Sequence, residues 1–291
     1  MLIDENFVRK VIKPRPRMSH KGNFGRVLLI GGCYPYNGAI IMSALASVHS
    51  GAGLVMVATD AENIGALHSH LPEAMAFDIK DAFLLKEQIE KSDVLLIGPG
   101  LGESMLASEI LHSVLKEVRA HQTLVIDGSA LNLLAQKQSL FWQTKRVILT
   151  PHQMEWERLS GLAVAEQTES NTQEALTCFP EETVLVAKSH ATKVYQGQQV
   201  GTFGVGGAYQ ATGGMGDTLA GMIAAFTAQF PANLFASTAA ATYLHSAIAD
   251  EIAQTAYVVL PTAISREIPK WMERLARKQD AEASKSTKNP C

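Results

Sequence analysis

The stretch RVLLIGGCYPYNGAIIMSALASVHSGAGLVMVAT, residues 26–59, decides how this chain folds. Its two ends, RVLLI and GLVMVAT, are apolar at successive positions rather than at alternate ones. That is how strands buried on both faces of a parallel sheet read. Between them, AIIMSALASVHSGA has helical spacing and is long enough to cross back over a sheet, as joining two parallel strands requires. Residues 26–59 therefore predict a strand, a crossover helix and a second, parallel strand.

The pattern recurs along the chain. DVLLIGPG, TLVIDG, RVILTP and TVLVAK are further apolar runs, and SEILHSVLKEVRAH is one of the helical stretches between them. After Lys188 the alternation breaks, and KVYQ and QQVGTFG predict a short antiparallel pair around a Gly-Gln turn. A helix-rich third follows in GDTLAGMIAAFTAQF, FASTAAATYLHSAIADEIAQ and PTAISREIPKWMERLARK. The expected class is α/β, a mainly parallel central sheet with helices on both faces. No repeat or linker divides the chain, so residues 1–278 are read as one domain and the polar residues 279–291 as a disordered tail.

Composition removes several function classes. A chain of 291 residues that is 47% hydrophobic supports a substantial core, and a formal net charge of −3 offers no long-range attraction for nucleic acid or an anionic surface. The longest apolar segments fall short of the roughly 20 residues of a membrane span. The N-terminal segment mixes both charge signs with prolines instead of carrying an apolar leader. Three cysteines without close spacing suggest neither disulfides nor a thiolate metal site, and a cytoplasmic location is expected.

Polar residues cluster just after each apolar run, in GGCYPYNGA (31–39), GPGLGE (98–103), DGSALN (127–132), TPHQMEWE (150–157) and KSHAT (188–192). Strands of an open parallel sheet end at one edge, so these segments should converge on the crevice where ligands of such folds bind. Turn chemistry alone also calls for Gly, Asn, Asp and Pro at such places. GGCYPYNGA either opens a helix whose free amides meet an anion or is a plain tight turn. Gly98, Gly100 and Gly102 either lie against a flat ligand or form a bare loop. His152 could hydrogen-bond a substrate amide or merely sit at the surface or cap a helix. Glu155 could hold a hydrated cation or be a favourable first-turn acid. Lys188 could supply a point charge to a phosphate wrapped by the following loop, or could snorkel from a strand end.

The sharpest segment is ATGGMGDTLAG (211–221). Gly213, Gly214 and Gly216 allow the positive φ values that aim consecutive amides, with Met215 among them, at one cluster of oxygens, and a helix read as starting at Asp217 adds its positive end. The alternative is that Asp217 is only an N-cap. A P-loop is excluded, because no Lys-Ser or Lys-Thr pair follows the glycines.

At this loop the chain resembles the ribokinase-like superfamily, in which a Gly-rich anion hole ends in an aspartate that deprotonates the accepting hydroxyl. With KGNFGRVLLIGG, GAGLVMVAT, IGPGLG, DGSALNLL and LTPHQMEWERLSG in this order, from about Lys21 to Ala253, it is similar to the ADP- or ATP-dependent NAD(P)H-hydrate dehydratases. The resemblance implies a ribokinase-like three-layer α/β/α sandwich and a repair lyase that returns hydrated NADH and NADPH to the intact cofactors at the expense of ADP or ATP. It implies Asp217 as catalytic base, Ala39, Gly102, His152 and Asp217 on the hydrated dinucleotide, and Lys188, Ser189, His190, Ala191, Thr192 and Gly216 on the adenine nucleotide. It also implies Mg²⁺ reached by Glu155 through water, a homotetramer, and a functional link to an NAD(P)H-hydrate epimerase. Departures from the family pattern are Ser189 for Gly, Met215 for Thr, Gln153-Met154 for Pro-Gly, and GGAYQ (206–210) before the anion hole. The rival within the superfamily is a kinase for a vitamin-precursor alcohol.

Overall fold

The computed structural model describes residues 1–137 and 141–286. The unit read from residues 26–59 is present as β2 (Arg26–Ile30), α2 (Asn37–His49) and β3 (Leu54–Thr59), with β2 and β3 parallel. Around it lies a ten-stranded sheet. β4 (Met75–Asp78) flanks β3 at one edge, and on the other side of β2 come β5 (Val94–Ile97), β6 (Thr123–Ile126), β7 (Val147–Leu149) and β8 (Val184–Ala187). Beyond them stand β9 (Lys193–Gln196), β10 (Gln199–Phe203) and β1 (Leu2–Ile3). Every pairing is parallel except those of β9, whose turn-linked pairing with β10 is the antiparallel element expected after Lys188.

Successive strand residues serve opposite faces. Val27 and Leu29 belong to one buried cluster, Leu28 and Ile30 to the other, which explains why the runs do not alternate with polar residues. One face carries α4 (Ala82–Lys91), α5 (Met105–Glu117), α6 (Ser129–Ala135), α7 (Gln153–Ser160) and α8 (Glu169–Leu176). The other carries α1 (Glu5–Val11), α2, α3 (Ala61–His70), α9 (Met215–Gln229), α10 (Leu234–Ala253) and α11 (Pro261–Ser286). The result is the expected three-layer sandwich. No helix among the described residues is long and apolar enough to cross a membrane.

α9 is the most enclosed helix of its layer: every residue from Thr218 to Ala228 is buried. It lies directly on α2, where Ser43 Oγ donates to the Asp217 carbonyl and Ser47 Oγ to the Gly221 carbonyl, both at 2.8 Å. A Cβ at Gly221 would stand 2.2 Å from the Ser43 carbonyl oxygen. The small residues of both helices thus bring their backbones together and fix the N-terminus of α9 against the sheet edge.

Two strands are not legible in the sequence. β1 and β4 carry no readable period, since LI is two residues long and MAFD is held by pairing with β3. α11 runs to Ser286 and so enters the stretch expected to be a disordered tail. Residues 287–291 lie outside the described residues.

An exposed helical Gly→Ala change is ordinarily favourable by about 1 kcal/mol. At Gly221 the sign reverses: Gly221→Ala should lower stability by roughly 1–3 kcal/mol through overpacking against α2, seen as a lower denaturant midpoint.

Candidate functional site

The strand-end segments converge as expected, and backbone geometry shows how. The loops after β2 and β5 are joined by Gly32 N to Pro99 O at 2.9 Å and Cys33 N to Gly100 O at 2.7 Å. A Cβ on Gly98 would meet the Asp127 carbonyl at 1.7 Å, and one on Gly100 the Tyr36 carbonyl at 2.3 Å. These two glycines therefore serve loop-to-loop packing. Gly102 differs, since nothing lies within 4 Å of its Cβ position. Ala39 is half-buried in the first turn of α2, a helix without a side-chain cap.

α9 starts two residues earlier than the sequence reading placed it. Gly214, in the left-handed region at φ 91°, is the N-cap, and Met215, Gly216 and Asp217 form the first turn. Asp217 is thus not an N-cap. Positive φ is needed at Gly214 but not at Gly213 or Gly216, a correction to the expectation for all three. No side chain caps α9, so its first-turn amides are left to partners from outside the helix, beside its positive end.

Around that turn stand three carboxylates and one lysine. Lys188 Nζ donates to Asp127 Oδ1 at 2.8 Å and lies 4.0 Å from Glu155 Oε2. Thr150 Oγ1 donates to the same Asp127 oxygen at 2.6 Å. The Asp127 and Glu155 side chains are only 3% and 8% exposed. Burial alone would lower the Lys188 pKa, but Asp127 and Glu155, and Asp217 more weakly, hold it above the usual lysine range. Burial raises the Glu155 pKa, against the pull of Lys188. The Asp217 carboxyl is pushed up to about 6, first by burial and then by Asp127, with Lys188 opposing. Among the described residues its carboxylate accepts no hydrogen bond.

His152 and Glu155 form the capping box of α7. His152 Nδ1 accepts from the amides of Met154 and Glu155 at 3.1 and 3.2 Å, and His152 N donates to Glu155 Oε2 at 2.7 Å. Burial and then the charges of Lys188 and Arg158 lower the His152 pKa, which keeps the ring neutral and Nδ1 an acceptor. Its Nε2 then carries the proton, on a side chain 53% exposed. The capping and surface readings hold together, with Nε2 3.5 Å from Glu155 Oε1.

A cavity of about 630 Å³ adjoins the α9 turn, and its walls include Lys188, Ser189, His190, Ala191, Thr192 and Gly216. A Cβ on Gly216 would come within 3.1 Å of Lys188 Nζ, so the ammonium sits directly over the first turn. Within the 188–192 loop, Ser189 Oγ accepts from Ala191 N at 3.0 Å, occupying an amide that glycine at that place would leave free. The far wall is residues 203–208, fastened to α10 through Asp250, which accepts from Gly206 N at 2.8 Å and from the Tyr209 hydroxyl.

Asp127, Thr150 and Asp250 are the polar residues that sequence reading did not single out. Asp127 had a signal, as an acid directly after an apolar run; Asp250 had none, since it reads as one more polar residue of an amphipathic helix. A caged metal ion does not fit. Among the described residues no three His, Cys, Asp or Glu side chains could hold one, and Glu155 Oε2 is occupied by His152 N. Glu155 Oε1 stands 3.5 Å from His152 Nε2.

Comparisons with known proteins place the chain in a family. The family described as NAD(P)H-hydrate dehydratase matches residues 27–270. A Streptococcus thermophilus protein named ADP-dependent (S)-NAD(P)H-hydrate dehydratase is 60% identical over 277 residues, covering 95% of this chain and 100% of the relative. A solved Enterococcus faecalis protein described as ribokinase-like superfamily is 45% identical, with TM-score 0.92 over 95% of this chain and 96% of that one. An ADP/ATP-dependent NAD(P)H-hydrate dehydratase from Bacillus subtilis, crystallised with ATP and Mg²⁺, is 26% identical, with TM-score 0.81 over 94% of this chain and 97% of that one. On this match and this identity, the chain belongs to the NAD(P)H-hydrate dehydratase family and has its ribokinase-like α/β/α fold.

Proposed function

We propose that the protein is a repair lyase that dehydrates (6S)-hydrated NADH and NADPH to NADH and NADPH, converting ADP to AMP and phosphate, or ATP to ADP and phosphate. The observation that carries this reading is Asp217: a carboxylate in the first turn of α9, free of capping duty, raised to about 6 and set beside the helix's positive end. A base and an anion site at one helix mouth suit transfer of a phosphoryl group to a hydroxyl.

Hydroxide is a poor leaving group, and phosphorylation makes it a good one. Asp217 takes the proton of the ring hydroxyl as its oxygen attacks the terminal phosphorus of the nucleotide, and the bond to the bridging oxygen breaks. The amides of the Gly213, Gly214, Met215, Gly216 turn and Lys188 stabilise the transferring charge. Phosphate then leaves with its carbon–oxygen bond while the neighbouring ring carbon gives up a proton, restoring the dihydropyridine double bond. The nucleotide is held by Lys188, Ser189, His190, Ala191, Thr192 and Gly216, which share one cavity. The hydrated ring faces Ala39, Gly102, His152 Nε2 and Asp217.

Mg²⁺ fits this site only as an ion brought in on the nucleotide phosphates and touched by Glu155 through water. An NAD(P)H-hydrate epimerase would supply the S form. That link and a homotetrameric assembly are carried by resemblance, and a cytoplasmic location by the sparse, widely spaced cysteines.

Asp217→Asn should keep nucleotide binding within a few-fold while turnover drops by roughly 10²–10⁴. Near-normal turnover would remove Asp217 from the role. Because Asp217 must be ionised to act and its pKa lies at about 6, kcat/KM should fall as pH drops through 6, and this limb should be lost in the variant. A carboxyl raised on folding destabilises the protein at pH values above 6, and that cost fades as pH falls toward its unfolded pKa. Asp217→Asn should therefore raise Tm by a few degrees at pH 8 and by progressively less toward pH 5, measured by calorimetry.

A further inference from the structure

Glu103, Asn132 and Arg158 form a hydrogen-bonded chain apart from the residues assigned above. Asn132 Nδ2 donates to Glu103 Oε1 at 2.7 Å, and an Arg158 guanidinium nitrogen donates to Asn132 Oδ1 at 3.0 Å. With Ala135 and Gln136 they line a second cavity, of about 460 Å³. Three elements supply it: the loop after β5, α6 and α7.

Its position is set by two residues already placed. Glu103 follows Gly102 in the chain, and Arg158 stands six residues beyond His152, about 9 Å along α7 at 1.5 Å per residue. The cavity therefore lies beside the proposed ring-binding residues and one step farther out, as the second half of a dinucleotide would.

Its chemistry has two parts. Among the described residues Arg158 has no carboxylate within ion-pair distance, and only one of its nitrogens is used, so the rest of the planar fork remains for a phosphate. Glu103 has a second carboxylate oxygen that Asn132 does not use, able to accept from a hydroxyl. An acid and an arginine are the groups by which dinucleotide sites read the ribose 2′ position: the acid takes a free hydroxyl, the arginine a 2′-phosphate. Asn132 bridges the two and sets their separation.

We propose that this cavity binds the adenosine ribose of the hydrated dinucleotide, with Glu103 accepting from the ribose hydroxyls of the hydrated NADH and Arg158 pairing with the 2′-phosphate of the hydrated NADPH. The assignment rests on the dehydratase reading and adds to it the residues that let one site take both substrates.

The test is steady-state kinetics of purified Arg158→Gln, Arg158→Lys and Glu103→Gln on hydrated NADH and hydrated NADPH, with ADP saturating. Arg158→Gln should raise KM for hydrated NADPH by roughly fivefold to tenfold with kcat little changed, and leave KM for hydrated NADH within about twofold. Arg158→Lys should restore part of the loss, and Glu103→Gln should raise KM more for hydrated NADH. Arg158 also acts on the His152 ring, but that effect falls on both substrates and cancels in the ratio of their KM values. A merely structural role would likewise shift both alike. Unchanged kinetics, or equal losses on the two substrates, would overturn the assignment. Failure of the unsubstituted enzyme to dehydrate either substrate would instead overturn the reading beneath it, and the assignment with it.

Discussion

The site depends on one ion pair, Lys188 with Asp127, formed where β6 and β8 end on either side of β7. Lys188 also meets His152 through a parallel bridge of the backbone, so its position is an extension of the sheet. Asp127, Glu155 and Asp217 crowd one region, and without the ammonium their mutual repulsion would favour protonation of at least one of them. Removing one partner of a buried pair generally costs about 3–5 kcal/mol, because the other is left uncompensated. Lys188 thus pairs with Asp127, opposes the burial that raises the Glu155 and Asp217 pKa values, and places a cation over the first turn of α9. The same group that offsets these carboxylates is the cation of the proposed phosphoryl site.

Four glycines around the crevice divide into two kinds by what a side chain would strike. At Gly98 and Gly100 a Cβ would collide with backbone, so these residues let the loops after β5, β6 and β2 close on one another. At Gly102 and Gly213 a Cβ would meet nothing within 4 Å, and these positions face open space. A rigid floor of joined loops thereby carries a few accessible backbone positions. This is how a site can take a large, flexible dinucleotide while keeping its reacting end fixed.

The parallel sheet was legible because strands buried on both faces leave an unmistakable run of aliphatic residues, as RVLLI and TVLVAK do. The site was legible in part. Segments ending strands had to meet at one edge, so the neighbourhood of Lys188, His152 and Glu155 was legible from their order, and Asp217 from the Gly-rich loop before α9. The helix start at Met215 was not, since a glycine cap and a first-turn acid leave the same letters as an acidic cap. The pairing of Lys188 with Asp127 joins residues 61 apart in sequence, and no local pattern encodes which acid a strand-end lysine will choose. Nor does spacing show that Glu103, Asn132 and Arg158 share a cavity, because three separate elements bring them together.

The central claim is that nucleotide consumption and dehydration are one coupled reaction on the hydrated nicotinamide ring. Its most direct measurement follows recovery of the dihydronicotinamide absorbance from hydrated NADH with ADP, with ATP and with neither, alongside phosphate release. Recovery is expected only with nucleotide present, one phosphate appearing for each chromophore restored. Recovery without nucleotide, or nucleotide consumed while a stable phosphorylated product accumulates and no chromophore returns, would contradict it.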